Sequence, residues 1–479
     1  MSKKAHLSRR SFIKQAAAAS SFFIVPRHVL GGKGYTPPSD QLNLAAVGVG
    51  GKGRTDILHA SVNGRERVVA LCDVDPLGKH GVLKTRKEFP KANFYTDFRR
   101  MLDEEPDIDA LTISTPDHTH APVAVYAMER KKHIYVQKPL THNVNEARLL
   151  TQMAREKQVV TQMGNQGASN PDQETVQNWI ANDSIGPVSS VYVWTDRPVW
   201  PQGIPPLTPA PAQKPDQLAW DLWLGPAPET PYLPKMHPFN WRGWWAYGTG
   251  ALGDMGCHLI DIPFRALGLG YPTAVECSVG SVYTKMWEPE YIPEGCPPSS
   301  YVRLQFDATP KNKTPMQMIW TDGGIRPTHP EGIPADVDLG RNGVLMIGPR
   351  GVITADVYGN NPKLYHSDGN IQVGPNWNTK GEPEHGHQRK WIDACKAGFG
   401  SEQHQELSSS FDYAGPLTET VLMGNIAIRS YMLRKKSPNG GYEFNGRKKL
   451  LWDGAQMKIT NLKQANTFVG RDYRKGWEI

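Results

Sequence analysis

At 479 residues, 39% apolar and 21% charged, the chain has the composition of an ordinary globular protein with room for two domains. Five scattered cysteines (Cys72, Cys257, Cys277, Cys296, Cys395), with no C-x-x-C pair, argue against a disulfide framework and against a zinc ribbon. The formal charge of +7 resides in residues 1–39; beyond them the remaining 47 Lys and Arg balance 47 Asp and Glu, which leaves no electrostatic footprint for nucleic acid.

Residues 1–39 read as a leader. Ser8-Arg9-Arg10-Ser11-Phe12-Ile13-Lys14 is a twin-arginine pattern, and the apolar run from Ala16 to Val25 is too short to span a bilayer. The expectation is export of the folded chain to the periplasm by the twin-arginine machinery, with a membrane tether if the leader stays uncleaved.

Residues 40–166 alternate strand and helix. Leu44 to Val49 predicts a strand buried on both faces, and Gly48, Gly50 and Gly53 then spell G-x-G-x-x-G, with Gly51 in the same turn. Gly48 permits the tight turn, Gly50 lets backbone approach a pyrophosphate, and Gly53 lets the helix pack close on the sheet. The next strand, Val68 to Leu71, leads to Asp73, where a carboxylate would accept hydrogen bonds from an adenosine ribose. That carboxylate would repel a 2′-phosphate, favouring NAD over NADP. Helices at Pro76–Phe89, from Asp97, Ala121–Arg130 and Asn143–Lys157 alternate with strands at Ala92–Tyr95, Ala110–Ser114, His133–Gln137 and Val159–Met163. That alternation predicts a parallel, doubly wound Rossmann sheet.

Two strand ends carry chemistry. Thr115 and Pro116, after Ser114, could line the nicotinamide ribose, with His120 near the next helix N-terminus. After the following strand, Gln137-Lys138-Pro139 aims an ammonium into the cleft, with Pro139 stiffening the turn.

Residues 167–479 change texture. A helix at Asp172–Ala181 and a strand at Ser189–Trp194 precede a Pro- and Trp-rich stretch, residues 198–240, that suggests an ordered loop over a site. Strands at Ala274–Val282, Tyr301–Phe306, Met316–Trp320, Gly343–Ile347 and Val352–Val357 predict an open, mostly antiparallel sheet in a C-terminal α/β domain. Helices near His387–Ala397 and Ala414–Leu433 would return to the first domain. Between them, Asp254, His258 and Asp261 recur at i, i+4 and i+7 on one helix face. His258, oriented by a carboxylate, suits general acid/base work on an alcohol. No metal is assigned to that face, nor to Glu384-His385-Gly386-His387, because neither has further ligands at usual spacing.

Taken together, these motifs resemble the Gfo/Idh/MocA oxidoreductases. The resemblance rests on Gly48-x-Gly50-x-x-Gly53, Asp73, Ser114 to His120, Gln137-Lys138-Pro139, Gly164-Asn165-Gln166 and Gly253 to Asp261. It implies a Rossmann domain plus a C-terminal α/β domain, a bound NAD, and hydride transfer to or from a sugar or cyclitol carbon. By motif match, Lys138 and His258 would share acid/base and positioning roles and Asp254 would bind substrate hydroxyls. Asn165 would contact cofactor and substrate. The family usually has Glu where this chain has Gln137. The leader and Trp241-Arg242-Gly243-Trp244-Trp245 resemble an exported subgroup, with Trp241 and Arg242 in a lid over the sugar. The expected function is an exported NAD-dependent sugar or glycoside dehydrogenase acting on a ring hydroxyl such as that at carbon 3. The alternatives are an NAD-dependent redox glycosidase and a catalytically silent sugar-binding protein. The open sheet face and the resemblance together suggest a homo-oligomer.

Overall fold

In the first strand, β1 (Asn43–Val47), Leu44 and Ala46 face one side and Ala45 and Val47 the other, and all four are buried. A strand buried on both faces belongs inside a parallel sheet. β2 (Arg67–Cys72), β3 (Asn93–Tyr95), β4 (Ala110–Ile113), β5 (His133–Val136) and β6 (Thr161–Met163) join it in the order β3-β2-β1-β4-β5-β6, every pair parallel. The connecting helices are α1 (Gly51–Ser61), α2 (Val82–Glu88), α3 (Phe98–Glu104), α4 (His120–Glu129) and α5 (Val144–Lys157). The strand order reverses between β1 and β4, which opens a crevice at their carboxyl ends. Asp97 caps α3 by accepting from Arg99 N at 2.9 Å, and Asn143 caps α5 by accepting from Glu146 N at 3.1 Å. The pattern predicts α2 from Pro76. It begins only at Val82, because Gly81 before it sits at φ 109°, outside helical space.

This computed structural model describes residues 40–479 except 63, 79, 206–208 and 376–385. The twin-arginine leader, Glu384 and His385 therefore lie outside the described residues.

Past β6 come α6 (Asp172–Ala181), β7 (Ser190–Trp194), α7 (Trp220–Leu224), α8 (Gly250–Leu259) and α9 (Asp261–Leu267). The strands β8 (Ala274–Val279), β9 (Tyr283–Lys285), β10 (Glu288–Pro289), β11 (Ser300–Phe306), β12 (Met316–Thr321), β13 (Gly343–Gly348), β14 (Gly351–Ala355), β15 (Lys363–His366) and β16 (Ile371–Val373) follow. α10 (Gly386–Ala397), α11 (Glu402–Gln405), α12 (Phe411–Tyr431), β17 (Arg434–Lys436), β18 (Tyr442–Phe444), β19 (Leu450–Asp453) and β20 (Lys458–Ile459) end the order. The second sheet runs β16-β15-β14-β13-β7-β12-β11-β8-β19-β20 and is antiparallel except where β7 meets β12. The fold is thus α/β, with a parallel Rossmann sheet followed by a mostly antiparallel one.

Three apolar layers hold these parts. α1 and α10 cover one face of the Rossmann sheet, where Trp391 and Ile392 meet Leu44, Ala46 and Ile57. The other face is continuous with the inner face of the second sheet, through α4, α5 and the largely buried α12. On the second sheet's outer face, Ile333, Val337 and Leu339 lie over Trp194, Leu345, Val352 and Tyr365. The outer face expected to be open is therefore partly roofed by the chain itself. Its uncovered part, on β8 and β11, carries Tyr301 and the Arg303–Glu276 ion pair.

Candidate active site

The β1–α1 turn has the backbone shape that its glycines allow. Gly48 sits at φ 76°, and a Cβ there would lie 2.7 Å from the Ser114 carbonyl oxygen. A Cβ on Gly53 would lie 1.8 Å from the Gly48 carbonyl oxygen, so helix and strand meet at a distance only glycine permits. Gly51, at φ 48°, borders open space at the N-terminus of α1. Asp73 follows β2 and accepts from Val49 N at 2.9 Å through one oxygen and from Asp75 N at 3.0 Å through the other. Burial raises its carboxyl to about 6, against the lowering effect of those two N–H groups.

These residues border a cleft of about 520 Å³, within the range of small-molecule sites. Of the residues singled out in the sequence, Gly48, Gly50, Gly51, Asp73, Ser114, Thr115, Pro116, Lys138, Trp241, Arg242, Asp254 and His258 line it. A pyrophosphate fits against Gly50 and Gly51, where no Cβ stands and the helix N-terminus favours an anion. Each Asp73 oxygen keeps lone-pair capacity for a ribose hydroxyl. The glycine turn and the Asp73 carboxylate fit a dinucleotide in shape, and a phosphate at Gly51 would take over the N–H that is bonded to the His80 carbonyl oxygen at 2.6 Å.

At the other end of the cleft, Lys138 Nζ donates to the Asp254 carbonyl oxygen at 2.6 Å and to Asp254 Oδ1 at 2.9 Å. An ammonium has three N–H donors, so one remains for a ligand. Arg242 Nε stands 3.4 Å from the same carboxylate oxygen. Burial works to raise the Asp254 carboxyl, but Lys138 and Arg242 outweigh it and hold the group at about 2. His258, one turn further along α8, is buried beside Lys138, and both effects push its imidazole well below the ordinary value. It is uncharged at neutral pH.

Four expectations are corrected by this geometry. His120 does not reach the cleft: its ring nitrogens lie 2.9 Å from the Pro139 and Thr115 carbonyl oxygens, bracing the two loops that line it. Asn165 is fully buried and off the cleft, both its amide atoms lack a hydrogen-bond partner among the described residues, and its neighbour Gln166 lines the wall instead. Asp261 does not line the cleft: at the start of α9 it accepts from Tyr413 Oη at 2.5 Å and from Gln173 Nε2 at 3.1 Å. Nor does a carboxylate orient His258, whose Nδ1 has no hydrogen-bond partner among the described residues and whose ring meets the edge of Tyr358 at 4.8 Å.

Sequence reasoning missed Asp56. Buried on α1, it accepts from Lys52 Nζ at 2.7 Å, Ser114 Oγ at 2.9 Å, Gln137 Nε2 at 2.7 Å and Gln388 Nε2 at 3.0 Å. It knots the phosphate-side turn to both strand-end loops. Its only local signal is the i, i+4 pairing with Lys52. The Pro- and Trp-rich stretch has a core of its own, in which Trp220 and Trp223 stack at 4.6 Å. The buried His118 fastens it, with ring nitrogens 2.9 Å from the Trp223 carbonyl oxygen and 3.2 Å from that of Tyr247.

Fold and cleft are those of an α/β protein with a Rossmann sheet and a dinucleotide-shaped cleft. Residues 42–165 match the oxidoreductase family with an NAD-binding Rossmann fold, and residues 192–279 match that family's C-terminal alpha/beta domain. These two segments are where the chain matches the Gfo/Idh/MocA oxidoreductase family.

A glycosyl hydrolase family 109 protein of Shewanella pealeana is 31% identical over 161 residues, covering 29% of this chain and 35% of the relative. Levoglucosan dehydrogenase of Pseudarthrobacter phenanthrenivorans is 26% identical over 209 residues, covering 43% of this chain and 42% of the relative. The chain thus spans less than half the length of these curated relatives. A solved levoglucosan dehydrogenase, complexed with NADH and L-sorbose, superposes with a TM-score of 0.56 at 17% identity, over 81% of this chain and 96% of that one. That likeness is one of fold.

Proposed function

We propose that this protein is an exported NAD-dependent dehydrogenase that exchanges hydride with a ring CH–OH carbon, such as carbon 3, of a sugar or glycoside. The observation that carries the reading is a single cleft with a dinucleotide cradle at one end and Lys138, Asp254 and His258 at the other. When bound, the nicotinamide accepts or returns the hydride. Asp254 holds Lys138 by two hydrogen bonds, so the free ammonium N–H meets the reacting hydroxyl and stabilises the oxyanion as its proton leaves. His258, one turn from Asp254 in the same cleft, is the group placed to take that proton. Arg242 and Trp241 supply a charged fork and an apolar ring face for the rest of the sugar, and the guanidinium lies 4.2 Å from the Trp241 ring centroid. The twin-arginine pattern supports export, and a compartment without a free NAD pool requires a cofactor that stays bound.

A second reading is a redox glycosidase that oxidises, eliminates, adds water and reduces; the family 109 relative favours it. To separate the two, protein purified without added nucleotide is denatured and its ligand identified, then intact protein is mixed with glucosides and free sugars. NAD that becomes lastingly reduced supports the dehydrogenase. Free sugar without net reduction supports the glycosidase. Absence of nucleotide, with none taken up, sinks both.

A further inference from the structure

Residues 471–477 cross from the second domain to the cofactor end of the cleft, where no motif assigns them a part. Three ties fix the crossing. Tyr473 Oη donates to the buried Glu146 at 2.8 Å, on α5 of the Rossmann domain. Arg474 Nε donates to the Gly225 carbonyl oxygen at 2.9 Å, and its guanidinium pairs with Asp221 on α7. Trp477 N then donates to the Arg474 carbonyl oxygen at 3.0 Å, turning the chain so that the indole faces inward.

Trp477 is only 8% exposed and lines the same cleft as Asp73. Behind it, Phe98 lies at 6.0 Å between ring centroids and the Arg99 guanidinium lies 4.5 Å from its centroid, both on α3. An aromatic side chain in the cleft that also holds the Asp73 carboxylate is a platform for a nucleobase, since every base has a π-face to stack.

We propose that Trp477 is the base-binding wall of the adenosine end, and that residues 471–477 latch α7 to the Rossmann domain so that a bound dinucleotide is retained. The proposal rests on the NAD-binding reading of the cleft. Arg474 acts through Trp477 and α7 and is a positioning residue.

The test measures affinity for NAD and for ADP-ribose by calorimetry, with NAD dissociation followed by stopped flow, on the full chain and on W477A, W477F and R474A. In W477A both ligands weaken by about tenfold, as expected for loss of one stacked base. W477F recovers most of that loss, and R474A speeds NAD dissociation several-fold with little change in the thermal midpoint. Equal affinities in W477A and the parent overturn the proposal, as does a loss confined to NAD, which would put the effect at the nicotinamide end. If W477A fails to fold, R474A decides: unchanged dissociation overturns the latch. A parent chain that takes up neither ligand overturns the NAD-binding reading along with it, whereas binding by the parent without sensitivity to these variants overturns the latch alone.

Discussion

The phosphate-binding part of the cleft is made largely of backbone and glycine from residues 48–53, whereas the opposite end is made of side chains from three separate segments, the charged Lys138, Arg242 and Asp254 with the neutral His258. The first is a shape and the second a balance of charge. Shape fails by collision and takes the fold with it; charge fails by imbalance and takes turnover while the fold survives.

The sharpest test of that division is His258→Ala. It should lower kcat by roughly 10²- to 10⁴-fold, the usual weight of a general base, and leave the NAD dissociation constant unchanged. A parallel loss of NAD binding would erase the distinction between the ends. On the other side, Gly53→Ala brings a methyl to 1.8 Å from the Gly48 carbonyl oxygen. It should destabilise the protein by about 3 kcal/mol in denaturant titrations, with NAD uptake lost in step.

The junction between the two ends can be probed at Asp56. Gln137→Glu would set a second carboxylate where an amide now donates at 2.7 Å. A cost of about 2 kcal/mol is expected, largely removed in an Asp56→Asn background, and the double-mutant cycle measures the coupling. The smallest effect concerns pH. Asp73 has its carboxyl raised to about 6 by burial, and the ionised form is the one that accepts ribose hydroxyls. NAD affinity should therefore rise with pH through about 6, by at most about tenfold between pH 5 and pH 7, and Asp73→Asn should flatten the profile. Without cofactor the sign reverses. A carboxyl raised from 3.8 favours the folded state at low pH, and that contribution fades as pH climbs through about 6.

The phosphate turn was legible because its determinants are local: glycine spacing, the strand before and the acid after all lie in one βαβ unit. Lys138 and His258 were legible for the related reason that strand ends and helix faces are readable periodicities. Asp261 failed because helical spacing does not say which distant groups a carboxylate meets, here Tyr413 and Gln173; the interruption after Leu259 itself has a local mark in Pro263, which offers no N–H to the Leu259 carbonyl oxygen. His120 failed because a histidine at a helix start reads the same whether it faces ligand or two carbonyl oxygens. Asp56 gathers Ser114, Gln137 and Gln388 from 58, 81 and 332 residues away, separations that no local pattern encodes. The same holds for Trp477, whose neighbours Phe98 and Arg99 lie near the other end of the chain.

The ten-stranded sheet has a further consequence, for how copies of the chain can meet. An open sheet presents two unsatisfied rims, each a template on which another strand could grow. Here one rim is β16, three residues long and followed by Gly374 and Pro375, and the other is β20, only Lys458–Ile459. Neither is long enough to seed continued pairing, so edgewise polymerisation is disfavoured. Self-association through this sheet is left to its face, and the loop carrying Ile333 to Leu339 leaves only part of that face uncovered.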